Sequence, residues 1–129
     1  MPKSRESRWR ARSKVWLEDD RVVLLSGFRA DLLERVDRLG SVSAAARELD
    51  LPNRTAWKKL QETEAAAGFP LLISTSGGSG GGASRLTDEA RSLLAAFRRV
   101  ADPVSGLVDE RFAAEAGSFV APPDETDPA

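Results

Sequence analysis

The apolar residues near the start of the chain follow two different periods. Residues 14–25 (KVWLEDDRVVLL) hold two short apolar runs on either side of Asp19 and Asp20, a pattern that is typical of a β-hairpin. In the next segment, SGFRADLLERVDRLG, the apolar residues recur every three or four positions and define one face of a helix: Phe28, Leu32, Leu33, Val36 and Leu39. Gly40 follows directly, and a glycine in that place predicts the end of the helix.

Two more helices are predicted between residues 41 and 68. The segment SVSAAARELD predicts a short helix with Ser43 as its N-cap. Pro52 interrupts it, because the residue before a proline avoids the α-helical region. A third helix is expected over residues 53–67, with Gly68 ending it. Its narrow inner face consists of Ala56, Leu60, Thr63 and Ala67. A separate polar face consists of Arg54, Lys58 and Gln61.

A glycine-rich segment follows these helices. In FPLLISTSGGSGGGASRLT, five of the six residues 77–82 are glycine. This composition fits a flexible linker. The short apolar runs on both sides fit a β-hairpin with a long tip better.

A fourth helix is predicted after Thr87, which is its expected N-cap, with Asp88 and Glu89 in the first turn, where the helix dipole favours anions. An apolar stripe with spacings of four and three residues runs along it: Leu93, Phe97, Val100, Val104 and Leu107. Pro103 lies within this stripe. Because a proline inside a helix removes a hydrogen bond and clashes with the preceding turn, we expect a kink or a joint between two helices near residues 99–103.

Composition excludes several kinds of chemistry. The 129 residues, a length typical of one domain, include no cysteine and no histidine. Disulfides, thiolate or imidazole metal ligands, cysteine nucleophiles and triads with a histidine base are therefore excluded. No segment predicts a secretory signal or a membrane span, so we expect a cytoplasmic protein with no membrane partner.

The net charge of −1 conceals an uneven distribution. Residues 1–16 hold six basic residues against one acid, whereas residues 102–129 hold seven acids against one arginine. Because electrostatic steering depends on the local potential, the net charge says little about any one face.

The glycines do not predict a nucleotide site. Gly78, Gly80 and Ala83 satisfy a G-x-G-x-x-A pattern, but a further helix follows where a dinucleotide site needs a second parallel strand. No lysine follows the glycines, as a P-loop requires. No pair of carboxylates lies in an apolar setting that would raise a pKa. We therefore expect no enzyme and no cofactor, and no small-molecule ligand is apparent.

The order of the elements carries a stronger signal. A short helix, a tight turn and a polar-faced helix form the helix-turn-helix arrangement, in which the second helix enters the DNA major groove. Asn53, Arg54, Thr55 and Lys58 lie at the N-terminal end of that helix. Arginine and asparagine are common readers of guanine and adenine edges. A merely solvated helix face would show the same charge pattern, so the pattern alone leaves both interpretations open.

Residues 40–100 resemble the DNA-binding domain of the molybdenum-dependent transcriptional regulator (ModE) family and, more distantly, the LysR-type helix-turn-helix; residues 14–40 continue the resemblance. Three features are shared in order: GSVSAAARELDL, the AW inside the third helix, and TSGGSGGGASRLT. The resemblance implies a mainly α fold with small β elements, a winged helix-turn-helix with an N-terminal β-hairpin and a long C-terminal dimerisation helix. It also implies a homodimer that regulates molybdate transport or molybdoenzyme genes.

By position, the resemblance places the polar end of the third helix on the recognition helix and residues 77–84 at the tip of the wing. The expected DNA-binding residues are Ser43, Asn53, Arg54, Thr55, Lys58, Lys59, Ser79 and Arg85. We expect Arg54, Lys58 and Lys59 to point outward together.

Three departures from the family pattern bear on these expectations. Pro52 and Asn53 replace a serine–aromatic pair, with Asn53 able to take over the helix cap. Ser79 stands where the wing of the family often carries a lysine or arginine. The chain ends in an acidic segment with prolines where family members continue into molybdate-binding modules, so we expect a regulator without a molybdate sensor of its own.

The expected organisation is a basic flexible tail (1–13), a winged helix-turn-helix DNA-binding domain (14–101), a C-terminal helical extension (102–116) and a disordered acidic tail (117–129). The expected partners are double-stranded DNA and a second copy of the chain, bound through the stripe from Leu93 to Leu107. If Pro103 bent the helix back onto its own domain, that stripe would instead be covered internally. The alternative function is a winged helix that binds another protein and shows no salt-dependent DNA binding.

Overall fold

A computed structural model describes residues 9–75 and 83–119. The elements in chain order are β1 (Trp16–Asp19), β2 (Val22–Ser26), α1 (Gly27–Leu39), α2 (Val42–Glu48), α3 (Asn53–Ala67), β3 (Leu72–Thr75), β4 (Ala83–Leu86) and α4 (Asp88–Phe119). The chain divides into two compact units. One unit is Val15–Arg99, and the other combines the residues before Val15 with those from Val100 onward.

The predicted N-terminal hairpin is formed by β1 and β2, which pair antiparallel. Its turn is one position later than the acidic pair suggests. Asp20 and Arg21 both have positive φ angles, 51° and 75°, as both central residues of a type I′ hairpin turn require. Neither residue is a glycine, so the turn holds two L-residues in the left-handed region, which is unfavourable for a side chain with a Cβ.

The ends of α1 follow the local chemistry of the chain. The Ser26 hydroxyl accepts a hydrogen bond from the Arg29 N–H at 3.2 Å and caps the N-terminus. At the other end, Gly40 has φ 73° and its N–H donates to the Val36 carbonyl at 2.8 Å. The predicted end of this helix at Gly40 is therefore confirmed.

The start of α2 corrects one expectation. Ser41, and not Ser43, is the N-cap, because the Ser41 hydroxyl accepts from the Ala44 N–H at 3.1 Å. The choice follows from burial: a helix that begins at Val42 places Val42, Ala45 and Ala46 in the core. Ser43 becomes the second residue of α2 and is exposed.

The bounds of α3 agree with the prediction, and Gly68 ends it with φ 82°. Its N-cap position is held by Pro52, with no side-chain cap. Asn53 is the first helical residue, so the expectation that Asn53 takes over the cap is wrong. In the turn between α2 and α3, Asp50 has φ 58° and the Leu51 N–H donates to the Ala46 carbonyl at 2.8 Å.

The core of the unit Val15–Arg99 is built around α1. Leu32, Leu33 and Val36 from its apolar face are buried, whereas Phe28 and Leu39 at the edges of that face are exposed. The largest fully buried side chains come from five elements and the segment before β3: Phe97, Leu25, Leu32, Leu33, Leu71, Leu86, Val36 and Thr63.

Arginine–carboxylate pairs link α1 to the other three helices. Within the described ranges these links are Arg29–Glu62 to α3, Arg35–Glu48 and Arg38–Glu48 to α2, and Arg91–Asp37, Arg98–Asp31 and Arg98–Glu34 from α4. Hydrogen bonds from Arg98 to Glu34 and Asp31, at 2.7–3.0 Å, raise the pKa of the guanidinium and keep it charged.

The second hairpin is attached to the end of α1. The strands β3 and β4 pair antiparallel. Asp37 of α1 accepts the Leu86 N–H of β4 at 3.1 Å and two hydrogen bonds from Arg91 at 3.0 and 3.1 Å. The hydrogen bond from Arg91 lowers the pKa of the Asp37 carboxyl. The Ser84 N–H also donates to the Gly40 carbonyl at 2.8 Å, so two backbone groups of β4 are tied to α1 and its cap.

The last helix, α4, runs unbroken from Asp88 to Phe119 across Pro103. Thr87 caps it as predicted, accepting from the Ala90 N–H at 3.1 Å. The expected joint between two helices is therefore absent, while a kink at Pro103 stays a prediction. The helix also extends three residues past the expected end at residue 116, into the segment we assigned to the disordered tail.

The apolar stripe of α4 divides between core and surface. Phe97 is 1% exposed and belongs to the core, whereas Val100 and Leu107 are 53% and 47% exposed. At these two positions the described residues therefore do not cover the stripe.

In the second unit, residues 9–13, which we assigned to the basic tail, line a cleft of about 450 Å³ together with Ser105, Asp109 and Phe112. No helix within residues 9–75 and 83–119 is long and apolar enough to cross a membrane.

A hairpin, three helices, a second hairpin and a long helix in this order are a winged helix-turn-helix. The predicted fold, mainly α with small β elements, is confirmed.

Candidate nucleic-acid interface

The candidate interface is built on α2, the turn after it, and the first half of α3. The Ser43 hydroxyl donates to Asn53 Oδ1 at 3.2 Å, which links the second residue of α2 to the first residue of α3. A depression of about 560 Å³ lies beside this link, lined by residues of both helices and the turn: Ser43, Ala46, Arg47, Asp50, Leu51, Pro52 and Asn53.

The outer face of α3 carries uncompensated positive charge. Arg54 and Lys58 are exposed, opposite the buried face of this helix. Within residues 9–75 and 83–119 neither side chain forms an ion pair. The arginines at the helix contacts, in contrast, are all neutralised by carboxylates. The two cations of α3 are therefore free to meet an external anion.

Lys59 does not share this outward face, contrary to expectation. It is half-buried, and its Nζ lies 5.4 Å from the centroid of the Phe28 ring, a cation–π contact. Its carbonyl accepts a hydrogen bond from Arg29 at 3.3 Å. At about 100° of rotation per residue, Lys59 is displaced from Lys58 towards α1. Thr55 is also half-buried.

The second hairpin supplies one candidate contact within the described residues. Arg85 of β4 is exposed and lies opposite Ile73 of β3, which is also exposed. The neighbouring Ser84 points to the other side and is buried. Ser79 and most of the expected wing tip lie outside the described residues.

Two exposed residues were missed by the sequence reasoning. Arg47 of α2 lines the depression next to Asn53 and has no ion pair with any described residue. Its signal was the spacing of four residues from Ser43, which puts both on one helix face. Trp57 of α3 is 37% exposed. Its signal was the position of an aromatic residue one helical turn after Arg54. Attention to hydrogen-bonding side chains alone does not detect such a residue.

Among residues 9–75 and 83–119, no group of three or more carboxylates is arranged to hold a metal ion. The expected DNA-binding residues on α2 and α3 lie near one another, with Lys59 turned aside, and Arg85 lies on the separate β3–β4 hairpin.

Residues 29–91 match the family described as bacterial regulatory helix-turn-helix protein, lysR family. The molybdenum transport protein ModE of Azotobacter vinelandii is 34% identical over 86 residues, which cover 67% of this chain and 32% of the relative. The molybdenum-pterin-binding protein MopB of Rhodobacter capsulatus is 35% identical over 80 residues, 62% of this chain and 30% of the relative.

The transcriptional regulator ModE of Haemophilus influenzae is 33% identical over 66 residues, 51% of this chain and 26% of the relative. The chain thus spans about a third of the length of these curated relatives, or less. The family match begins in α1 and ends in the first turn of α4, and it includes the helix-turn-helix and the second hairpin. The chain therefore contains a lysR-type helix-turn-helix domain of the ModE family.

Proposed function

We propose that this chain is a DNA-binding transcriptional regulator of the ModE type, acting in the cytoplasm through binding and not as an enzyme. The observation that carries the proposal is the pair Arg54 and Lys58, exposed and without an ion pair among the described residues, on the second helix of the helix-turn-helix. The names of the relatives, two of which include molybdenum and one transcriptional regulation, support genes of molybdate transport or molybdoenzymes as targets.

In the proposed complex, the N-terminal half of α3 enters the major groove. Arg54 is the candidate for a bidentate contact with guanine, and Lys58 for a contact with a phosphate or a base. The hydrogen bond from Ser43 holds Asn53 in place before DNA arrives, which reduces the entropic cost of binding. Thr55, Arg85 and Ser79 complete the proposed contacts.

We further propose that the chain binds DNA as a homodimer through the exposed part of α4. Val100 and Leu107 leave large apolar surfaces in water, and a second copy would bury both by a twofold contact. Such a dimer would present two recognition helices to a palindromic site.

Salt-dependent binding tests the DNA contacts. A duplex is first selected from random sequences with the wild-type chain, and its affinity is then measured by fluorescence anisotropy at several salt concentrations. Arg54→Gln and Lys58→Gln should each weaken binding. Where the replaced side chain binds a phosphate, the slope of log K against log salt should also become shallower by about 0.9. Arg99→Gln, which removes an exposed arginine from α4, is the matched control and should leave binding unchanged.

Two outcomes would contradict the proposal. One is binding by the α3 variants that equals the wild type at every salt concentration. The other is the absence of salt-dependent binding to any duplex, which would favour the alternative of a protein-interaction module.

Sedimentation equilibrium tests the dimer. The wild-type chain should sediment as twice its mass of 13.9 kDa at micromolar concentration, and Leu107→Glu should shift it towards the monomer. A wild-type monomer that is unaffected by this change would contradict the dimer. The expectation that this chain binds no molybdate stays a prediction, and tight stoichiometric binding in calorimetry would refute it.

A further inference from the structure

The exposed part of the Trp57 side chain is not explained by the fold of the unit Val15–Arg99. The buried side of α3 centres on Ala56, Leu60 and Thr63. Trp57 is rotated from Ala56 by about 100° around the helix and is 37% exposed. Large aromatic side chains contribute most when they are covered, so a ligand that covered the exposed part of Trp57 would gain affinity.

The polar end of this side chain is also without a partner in the described part of the chain. No hydrogen bond is made by the indole N–H of Trp57 to residues 9–75 or 83–119. Trp16 on the first hairpin differs, because its indole N–H donates to Glu18 at 2.8 Å. The partly exposed tryptophan of α3 therefore has side-chain surface to offer a ligand, and its indole N–H makes no hydrogen bond to the described residues.

The neighbours of Trp57 indicate which ligand this is. Asn53, Arg54 and Gln61 lie four residues before, three residues before and four residues after it, so all three adjoin it on the helix surface. All three are exposed. Lys58 is adjacent in sequence and exposed as well. A tryptophan set among an asparagine, a glutamine and two unpaired cations suits a polyanion with polar edges better than an apolar protein surface.

We propose that Trp57 is a specificity-determining residue that contacts the C5-methyl group of a thymine in the major groove. The inference rests on the proposed function, since it requires α3 to enter that groove. Thymine is the base that presents an apolar group there, whereas the other base edges present hydrogen-bond donors and acceptors. An apolar edge next to Arg54 and Asn53 therefore adds a preference that neither polar side chain can supply.

Replacement of thymine by deoxyuridine tests this contact, because deoxyuridine lacks only the C5-methyl group. Each thymine of a duplex selected by the wild-type chain is replaced in turn, and the affinity is measured for the wild type and for Trp57→Ala. At one thymine, or at a symmetry-related pair, the wild type should bind about four-fold more weakly, the worth of one buried methyl or methylene group. Trp57→Ala should show no further decrease in affinity at that position.

Two further variants serve as controls for the loss of the aromatic ring and for a general loss of affinity. Trp57→Phe keeps an aromatic edge and should retain part of the sensitivity. Lys58→Ala should weaken binding but keep the same pattern of sensitive thymines. Circular dichroism and thermal unfolding show whether each variant is folded.

Fluorescence gives an independent readout, because Trp9, Trp16 and Trp57 are the three tryptophans of the sequence. In a chain with Trp9→Phe and Trp16→Phe, DNA should at least halve the quenching of Trp57 by acrylamide. A chain with Trp57→Phe should show a smaller change.

The outcomes separate the two proposals. If the wild-type chain binds no duplex, both the proposed function and this inference fail. If it binds DNA but is insensitive to deoxyuridine at every position, or if Trp57→Ala is as sensitive to deoxyuridine as the wild type, this inference alone is overturned.

Discussion

Removing the Asp37 carboxylate would test how the second hairpin is held on α1. Asp37 accepts the Leu86 N–H at 3.1 Å and is paired with Arg91 through two hydrogen bonds. Leu86 is completely buried. Asp37→Ala therefore leaves a buried N–H without its acceptor and also removes the partner of a guanidinium.

The expected cost can be divided into these two parts. A buried N–H left unsatisfied costs about 1–3 kcal/mol. The side chains of Asp37 and Arg91 are 30% and 43% exposed, so solvent screens their pair and its loss adds little to the cost. Asp37→Ala should thus lower the free energy of unfolding by about 1–3 kcal/mol, mostly through the unsatisfied N–H. Asp37→Asn keeps an oxygen acceptor for Leu86 and should cost about 1 kcal/mol.

Urea unfolding followed by circular dichroism, at one protein concentration for all variants, measures these differences. Asp88→Asn is the matched control, because Asp88 also faces Arg91, at 3.4 Å, but its side chain is 98% exposed. It should cost less than about 0.5 kcal/mol. The reasoning would be refuted if Asp37→Ala cost no more than Asp88→Asn, or if Asp37→Asn were as damaging as Asp37→Ala.

Further predictions concern pH, the hairpin turn and the core. Because the pKa of Asp37 is lowered in the folded state, its contribution to stability is complete above its unfolded pKa of about 3.9 and is lost as the pH falls through the folded pKa. The difference in the free energy of unfolding between the wild type and Asp37→Asn should therefore shrink below about pH 3.9. Arg21→Gly should raise the free energy of unfolding by about 1 kcal/mol, because Arg21 has φ 75°, whereas Gly40→Ala should lower it by about as much. Apart from its chain neighbours, no atom of residues 9–75 and 83–119 would lie within 4 Å of a Cβ at Gly40, so a cost there comes from the backbone. An unchanged urea midpoint in either variant would contradict the argument. Phe97→Ala should cost about 3–5 kcal/mol in the same assay, and an effect below about 1 kcal/mol would show that Phe97 is not a core residue.

Glycines and apolar spacing were enough to predict where most of the helices lie. Gly40 and Gly68 end α1 and α3, each with a left-handed φ that glycine adopts at no steric cost. The apolar positions Leu32, Leu33 and Val36 are buried as their period indicates. These features are local, so they can be recognised without knowledge of the rest of the fold.

The wrong predictions concern positions where two local conformations are nearly equal in free energy, so that tertiary contacts select one of them. Ser41 and Ser43 are both good N-caps, and the burial of Val42 selects Ser41. Lys59 continues a basic run, and its contact with Phe28 turns it away from Lys58. Pro103 predicts a break, yet it is exposed on a helix that continues beyond it.

The candidate interface was predicted less completely than the fold, for a related reason. Charge pattern alone does not distinguish Arg54, which has no carboxylate partner among the described residues, from Arg29, which is paired with Glu62 at 2.8 Å on the neighbouring face of α3. The distinction depends on distances between helices, which periodicity does not contain.

The arginines between the helices are paired with carboxylates, whereas Arg54 and Lys58 on the outer face of α3 are not paired with any described residue. The two groups of charges therefore respond differently to ionic strength. At 1 M salt the screening length is about 3 Å, close to the 2.7–3.0 Å separation of the Arg98 and Arg91 contacts with their carboxylates. At 0.1–0.15 M it is about 8–10 Å, which already weakens the long-range attraction between Arg54 or Lys58 and a distant polyanion. A rise in counterion concentration would therefore release a bound nucleic acid well before it loosens the helices. Salt would thus dissociate a ligand bound to the outer face of α3 while the packing of the helices that position this face stays intact.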